Sequence, residues 1–169
     1  MSLSIRFATI DELKLTREIA YESWPGAYEH ILSDAQLNHM LSLFYNDDAL
    51  ASQFFDQQHQ FIIAFNDHHQ HIGFASFSRL EESTKISYKL HKLYILPQQQ
   101  QSGTGKAMIE FITEHIQQKG ATHLLLNVNR QNAAIFFYKK MGFEIIREED
   151  IDIGNGYYMN DYVMEKKLG

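Results

Sequence analysis

Residues 93–108 read LYILPQQQQSGTGKAM. An apolar run with strand character stops at Pro97. After two closely spaced glycines a helix-like run follows, in which Met108, Phe111, Ile112 and Ile116 share one face. A glycine loop between strand and helix suits an anion, because glycine permits the sharp turn and the first N–H groups of the helix point at the ligand. Three phosphate loops compete for the stretch. A Walker A loop needs G-x-x-x-x-G-K-[ST], but Ala107 follows Lys106 and no glycine stands five residues before Gly105. A dinucleotide fingerprint needs a third glycine where Met108 stands, and belongs after the first strand of a βαβ unit rather than past mid-chain. The pattern [Q/R]-x-x-G-x-[G/A] fits every position from Gln100 to Gly105.

The chain around this loop has 169 residues, the size of one domain, expected to span 1–169. Its 44% hydrophobic and 21% charged residues are those of a globular protein, not a disordered one. A net charge of −6 argues against bulk nucleic-acid binding, which needs a basic face. No stretch approaches the ~18 apolar residues of a membrane span. The opening MSLSIRFATI lacks the basic and apolar regions of a signal peptide, so a cytoplasmic location is expected. Without cysteine there is no disulfide or thiolate chemistry.

Periodicity and punctuation give an element order. LSIRFAT alternates as a strand; Thr9 and Glu12 make a capping box for a helix through ESW, which Pro25-Gly26 should break. Ser33 and Gln36 repeat the capping spacing before a helix over DAQLNHMLSLFY, and a short helix over DDALASQFFDQ follows. QFIIAF and HIGFASFSRL flank the polar NDHHQ as a hairpin, whose His68, His69 and His71 lack metal-site spacing. KISYKLHKLYIL is a strand, and the helix after the glycine loop ends at Gly120. THLLLNV reads as a strand buried on both faces, NAAIFFYKKMG as a helix ending at Gly142, and FEIIREE and GYYMNDYVMEKKL as two strands meeting near DIGNG. The sum is an α/β (α+β) fold with a mixed sheet and helices on it.

LYILPQQQQSGTGKAMIEF, followed by LLLNVNRQNAAIFFYKKMGFEII, resembles the GNAT superfamily of acetyl-CoA-dependent N-acetyltransferases over roughly residues 60–165. The N-terminal AYESWPGAYEHILSDAQLNHMLSLFY is similar to the helical cap of its small-amine and polyamine branch. The resemblance implies a central, mixed, mostly antiparallel twisted sheet of about seven strands flanked by helices. It implies direct acetyl transfer from acetyl-CoA to a primary amine, a small amine or polyamine, with no metal. An acyl-CoA-binding sensor or scaffold on the same fold is the alternative. Many members form homodimers, and the sequence carries no interface signal of its own.

In such a protein the pantetheine arm of acetyl-CoA lies along Leu93, Tyr94 and Ile95 as an added strand, with backbone N–H near Tyr94–Ile95 facing the thioester oxygen. The side chains of Leu93 and Ile95 are then expected in the core. Gln100, Gln101, Ser102, Gly103, Thr104, Gly105 and Lys106 hold the pyrophosphate mainly through backbone. Tyr138 is placed to protonate the departing thiolate, as a phenol with an ordinary pKa near 10 can; a core packing role is the alternative. Lys139 and Lys140 are candidates for the nucleotide phosphate. The usual asparagine stands seven residues before the tyrosine, where this chain has Gln131, so Asn129 and Asn132 both remain candidates for the pantetheine contact.

An amine with a pKa near 10 must lose a proton before attack. Relatives use a glutamate at positions that here hold Lys89 and Asn127, so neither expected carboxylate is present. His91 shares the face of Lys89 by alternation and titrates in the right range, with Glu22, Glu82 or water as other routes. Trp24, Tyr28 and Tyr45, with Glu22, are candidates for the acceptor wall, the aromatics through apolar and cation–π contacts, or else for the core. The acidic stretch from Glu148 to Asp152 is expected as a solvated strand edge.

Overall fold

The computed structural model describes residues 3–81, 84–100 and 102–169. Seven strands form one sheet: β1 (Ser4–Phe7), β2 (Gln60–Phe65), β3 (His71–Arg79), β4 (Ser87–Ile95), β5 (His123–Asn129), β6 (Glu144–Gly154) and β7 (Tyr157–Lys167), in the order β1-β2-β3-β4-β5-β7-β6. The helices are α1 (Leu13–Ala27), α2 (Asp34–Tyr45), α3 (Asp47–Ala51), α4 (Thr104–Gln117) and α5 (Ala134–Lys140). The expected mixed sheet and element order are therefore present. Pairing is antiparallel except between β4 and β5, which run parallel over Ser87–Leu90 and His123–Leu126. Among the described residues no helix is long and apolar enough to cross a membrane.

The chain divides into two compact units, Met1–Ser78 with His91–Ile112, and Arg79–Leu90 with Thr113–Gly169. In the first, β2 and β3 bury Phe61, Ile62, Ile63, Phe74, Ala75 and Phe77, and Met108, Ile109 and Ile112 of α4 are fully buried. Each of the larger of these side chains contributes about 1.5–3 kcal/mol. Phe111 is half-buried beside Phe7, ring centroids 5.6 Å apart. In the second unit Leu124, Leu125 and Leu126 are buried consecutively, as expected of a strand covered on both faces. Gly120, at φ +86°, supplies the left-handed residue that ends α4.

The local signals read from sequence operate as physical caps. Ser33 Oγ accepts from Gln36 N–H at 3.1 Å, and Thr9 N–H donates to Glu12 Oε1 at 3.0 Å. The Thr9 box opens a 3₁₀ turn over Ile10–Glu12, and the α-helix starts only at Leu13. One boundary is corrected: Pro25 does not break the first helix, which continues to Ala27. So close to the end, the proline forfeits a single bond, to the Tyr21 carbonyl, and Tyr21 is on an exposed side. The helix over DDALASQFFDQ winds as α3 and then as a π-helical segment, Ser52–Asp56.

Candidate active site

In the first unit, β4 carries an irregularity that alternation does not reveal. Leu80 N–H donates to Ser87 O in the second unit, and Leu96 N–H donates to Ile72 O in the first. Between these bonds β3 advances eight residues (72 to 80) and β4 nine (87 to 96), so β4 holds one extra residue, a β-bulge. Its consequence is visible at His91 and Lys92. His91 Nε2 shares a 2.7 Å hydrogen bond with Ser78 Oγ and stacks on His59 at 3.8 Å. Lys92 Nζ lies 4.3 Å from the Tyr45 ring centroid and 5.6 Å from that of Phe61. Phe61 pairs with Ser76, which shares its face of β3 with Ser78. Two consecutive side chains thus reach the same side of the sheet.

Beyond the bulge, Ile95 turns toward β3 and α4. A Cβ on Gly73 would stand 3.2 Å from Met108 Cε, 3.2 Å from Tyr94 O and 3.3 Å from Ile95 Cγ1, so glycine at 73 admits this close approach. Leu93 and Ile95 are half-buried rather than core. The parallel ladder with β5 stops at Leu90–Leu126 while β4 continues to Ile95.

The glycine loop closes back onto this strand. Gln100 Nε2 donates to Ile95 O at 3.3 Å, and Ser102 Oγ donates to Gln99 O and lies 2.8 Å from Thr104 Oγ1. Gly103, at φ +85°, has open space where a side chain would stand. Ala107 N–H makes its helical bond to Gly103 O, so the amides of Thr104, Gly105 and Lys106 precede the intrahelical ladder and are oriented for an anion. The loop therefore fits a pyrophosphate. Lys106 is exposed, with its Nζ 3.9 Å from Glu110 one turn on. Gln101 and Glu82 lie outside the described residues.

The aromatic candidates form one cluster. Trp24 lies 5.0 Å from Tyr28, 5.7 Å from Tyr45 and 5.4 Å from Tyr94, centroid to centroid, and the Tyr28 and Tyr94 hydroxyls are 2.9 Å apart. Trp24 and Tyr45 are buried, and burial raises the Tyr45 phenol well above its ordinary value. Tyr28 is half-buried and Glu22 exposed. Lys92, above Tyr45, has Gln53 Oε1 at 2.5 Å for a partner; Gln53 Nε2 donates to Phe44 O, which fixes the amide with its oxygen toward the ammonium. Burial lowers Lys92 to about 7.

In the second unit, Tyr138 of α5 is buried, its ring 5.3 Å from Phe137 and 5.8 Å from Phe143. Asn129 Oδ1 accepts from Gln131 N–H and Asn132 Oδ1 from Ala134 N–H, each at 2.9 Å. Both asparagines build the turn into α5 with their oxygens. Lys139 and Lys140 are exposed in its last turn.

Carboxylates of β6 and β7 reach the face of the sheet that carries positions 89 and 127. Asn127 Nδ2 donates to Glu149 Oε2 at 3.0 Å and to Asp161 Oδ2 at 3.3 Å. Lys89 pairs with Leu125, Asn129 with Asp161 and Asp161 with Glu149, so all these side chains share one face. Asp161 is 3% exposed, the one buried charged side chain among the described residues. Burial raises its carboxyl, Asn127 holds Glu149 low, and burial lowers Lys89 against the pull of Glu149 and Asp161. Sequence reading missed Asp161, although it occupies an inward position in the alternation Tyr157, Met159, Asp161, Val163. The Glu148–Asp152 stretch is on the edge strand β6 as expected, with Arg130 Nη2 2.7 Å from Asp150 and Arg147 Nε 3.2 Å from Glu149.

Residues 29–166 match the acetyltransferase (GNAT) domain family. A spermidine N(1)-acetyltransferase of Thermoplasma acidophilum is 30% identical over 99% of this chain and 98% of its own. The crystal structure of a PaiA N-acetyltransferase from Thermoplasma acidophilum in complex with coenzyme A superposes with a TM-score of 0.81 at 30% identity, covering 99% of both chains. A ribosomal protein bS18-alanine N-acetyltransferase of Haemophilus influenzae is 34% identical over 54% of this chain and 57% of its own. Strand order, glycine loop and relatives agree, and the chain belongs to the GNAT family of acetyl-CoA-dependent acetyltransferases.

Proposed function

We propose that this enzyme acetylates a primary amine of a small polyamine such as spermidine, the whole chain acting as one catalytic domain. The carrying observation is the 30% identity, over 99% of the chain, with a spermidine N(1)-acetyltransferase. In this reading acetyl-CoA binds with its pantetheine along Leu93–Ile95 and its pyrophosphate on the loop from Gln100 to Lys106. The open space at Gly103 and the oriented amides at the start of α4 support that placement. The amine nitrogen attacks the thioester carbonyl, backbone N–H of β4 steadies the oxyanion, the C–S bond breaks and Tyr138 gives the thiolate a proton. Asn129 or Asn132 holds the arm through its amide N–H, since both oxygens are engaged. Lys140 is the candidate for the nucleotide phosphate in this reading. Tyr28 offers its half-exposed ring to the acceptor over the buried Trp24 and Tyr45, with Glu22 beside it on α1. His91, held by Ser78 and His59, lines the acceptor side.

The test is free-thiol release from acetyl-CoA with spermidine, spermine, amino acids and short peptides, with CoA affinity measured by calorimetry on the same preparation. Turnover is expected with the polyamines. Tyr138→Phe is expected to lower kcat about 100-fold with CoA affinity unchanged. Turnover confined to peptides would transfer the reading to the N-terminal class that the bS18-alanine relative represents, and CoA binding without any turnover would point to a sensor.

A further inference from the structure

The bulge in β4 gives the first unit an amine where alternation would not put one. Lys92 reaches the face of the sheet that carries Phe61, Phe74 and Ser76. Tyr94, two residues on, returns to that face, its ring centroid 6.0 Å from that of Phe74. Tyr45 closes over the same patch, edge-on to Phe74 at 6.2 Å and to Trp24 at 5.7 Å. Polar atoms inside this aromatic patch lack partners. Tyr45 Oη, Trp24 Nε1 and Ser76 Oγ are buried and make no hydrogen bond among the described residues. The Trp24 N–H is close enough to oppose the rise of the Tyr45 phenol but out of line for a bond. Buried polar groups are normally paired, so several orphans together mark a patch that packing alone does not explain. Lys92 itself is half-buried, not sealed. Its Nζ has Gln53 Oε1 as acceptor and no carboxylate within ion-pair reach among the described residues. Burial removes the hydration that favours the charged form and brings the amine to about 7. As a free base it gives one N–H to Gln53 and keeps a lone pair; once protonated, it has the ring faces of Tyr45 and Phe61 to steady it. His91 is placed differently, with Nε2 bonded to Ser78 and its ring stacked on His59.

We propose that Lys92 takes the proton from the acceptor's ammonium group as that group enters the aromatic patch beside Leu93–Ile95, and so is the general base of the transfer. The inference rests on the acyl transfer and the thioester placement proposed above. The step balances: R–NH₃⁺ and Lys92–NH₂ become R–NH₂ and Lys92–NH₃⁺, and the free amine attacks the thioester carbonyl. The C–S bond breaks as the amide forms, the second nitrogen proton balances the one the thiolate receives, and the proton on Lys92 passes to water. Desolvation between the same rings lowers an acceptor amine as it lowers Lys92, which brings the two nitrogens together in proton affinity. The groups facing Lys92 are Tyr45 from α2, Gln53 from the π-helical segment and Phe61 from β2; its titratable neighbour on β4 is His91, stacked on His59.

Lys92→Met keeps the stem over Tyr45 and removes the nitrogen, whereas Lys92→Arg keeps a charge that is never given up at working pH. With spermidine and saturating acetyl-CoA, wild-type kcat/KM should level off above about pH 7, where Lys92 becomes a free base. Both variants should lose about 100-fold at pH 7 and recover to within about 10-fold of wild type at pH 10, where more of the amine is already neutral. CoA affinity should hold, and the Tm of Lys92→Met should not fall. Rescue by Lys92→Arg, a loss independent of pH, or no loss at all overturns the proposal, since each describes a lysine that packs or holds a fixed charge. The ¹³Cε NMR resonance of Lys92, assigned by its disappearance in Lys92→Met, provides a reading that does not need turnover. It should titrate near 7 in the CoA-loaded protein, and titration near the ordinary 10.5 overturns the proposal. Wild-type protein that binds CoA and turns over no amine overturns the inference together with the reading it rests on. Wild-type turnover that Lys92→Met leaves intact overturns the inference alone.

Discussion

Lys89 and Lys92 lie three residues apart on β4, and each is withdrawn from water, but in different surroundings. Lys92, in the first unit, has two aromatic faces and the Gln53 amide oxygen and no carboxylate within ion-pair reach among the described residues. Lys89, in the second, has Glu149 and Asp161 in its field, opposed by Arg147. Burial is the largest influence on both and lowers both. Desolvation therefore acts alike on the two ammonium groups, and the partner decides how much of the lost proton affinity is restored. Ring quadrupoles and one dipole restore little at Lys92, which ends at about 7.

The largest expected effect breaks the comparison at Lys92. Its folded pKa of about 7 lies below the 10.5 of a free lysine, so between those values the unfolded chain holds more protons than the folded one. Stability should then rise with pH from about 7 toward 10.5, and below 7 the full penalty applies. The gap is worth at most about 4–5 kcal/mol. Lys92→Met keeps the stem over Tyr45 and removes the charge. The variant should be more stable than wild type by about 1–3 kcal/mol at pH 6.5, with the difference shrinking by pH 9.5 in urea unfolding. A difference independent of pH would mean that Lys92 keeps its proton in the fold.

Lys89→Met should act in the same direction but more weakly. Burial disfavours its charge on balance, yet removing it also removes the attraction of Glu149 and Asp161, so the gain at pH 7 should be no more than about 1 kcal/mol. The Asp161 carboxyl should move further up, read by carboxylate NMR. A gain as large as at Lys92 would mean that the carboxylates do nothing for Lys89, and the contrast between the two lysines would collapse.

The same contrast explains what the sequence made legible. The glycine loop, the capped helices and the alternating strands depend on residues within a few positions of one another, and QQSGTGK or Ser33 with Gln36 state their geometry locally. The bulge in β4 is set by pairing with β3 at a distance, so HKLYIL reads as regular and hides that His91 and Lys92 face the same way. The carboxylate site is non-local to a greater degree. Asn127, Glu149 and Asp161 meet only because β5, β7 and β6 are adjacent, and their sequence separations of 22 and 34 residues from Asn127 carry no spacing signal. What could be seen at 89 and 127 was a missing glutamate; what could not be seen was that strands further along the chain bring Glu149 and Asp161 onto the same face. Pro25 shows the converse, a strong local signal overruled because it falls within the last turn of its helix.

The smallest effect supplies a surface reference for both lysines. Arg6 meets Glu12 in a fork, Nη1 to Oε1 at 2.8 Å and Nη2 to Oε2 at 2.7 Å, and the hydrogen bond from Arg6 is the main reason Glu12 is lowered to about 2. Its folded value is below the ordinary 4.5, so the stabilisation is present above pH 4.5 and is lost as pH falls toward 2. Arg6 has half of its side chain in water, where screening leaves such a pair about 1 kcal/mol or less despite good geometry. Glu12→Gln still accepts from Thr9 N–H, so the cap survives and only the charge is removed. The variant should be about 0.5–1 kcal/mol less stable than wild type at pH 6 and equal to it at pH 2, by thermal unfolding. A loss as large as the gain expected at Lys92 would mean that exposure does not discount a charge here, and the difference between Lys89 and Lys92 would then need a cause other than desolvation.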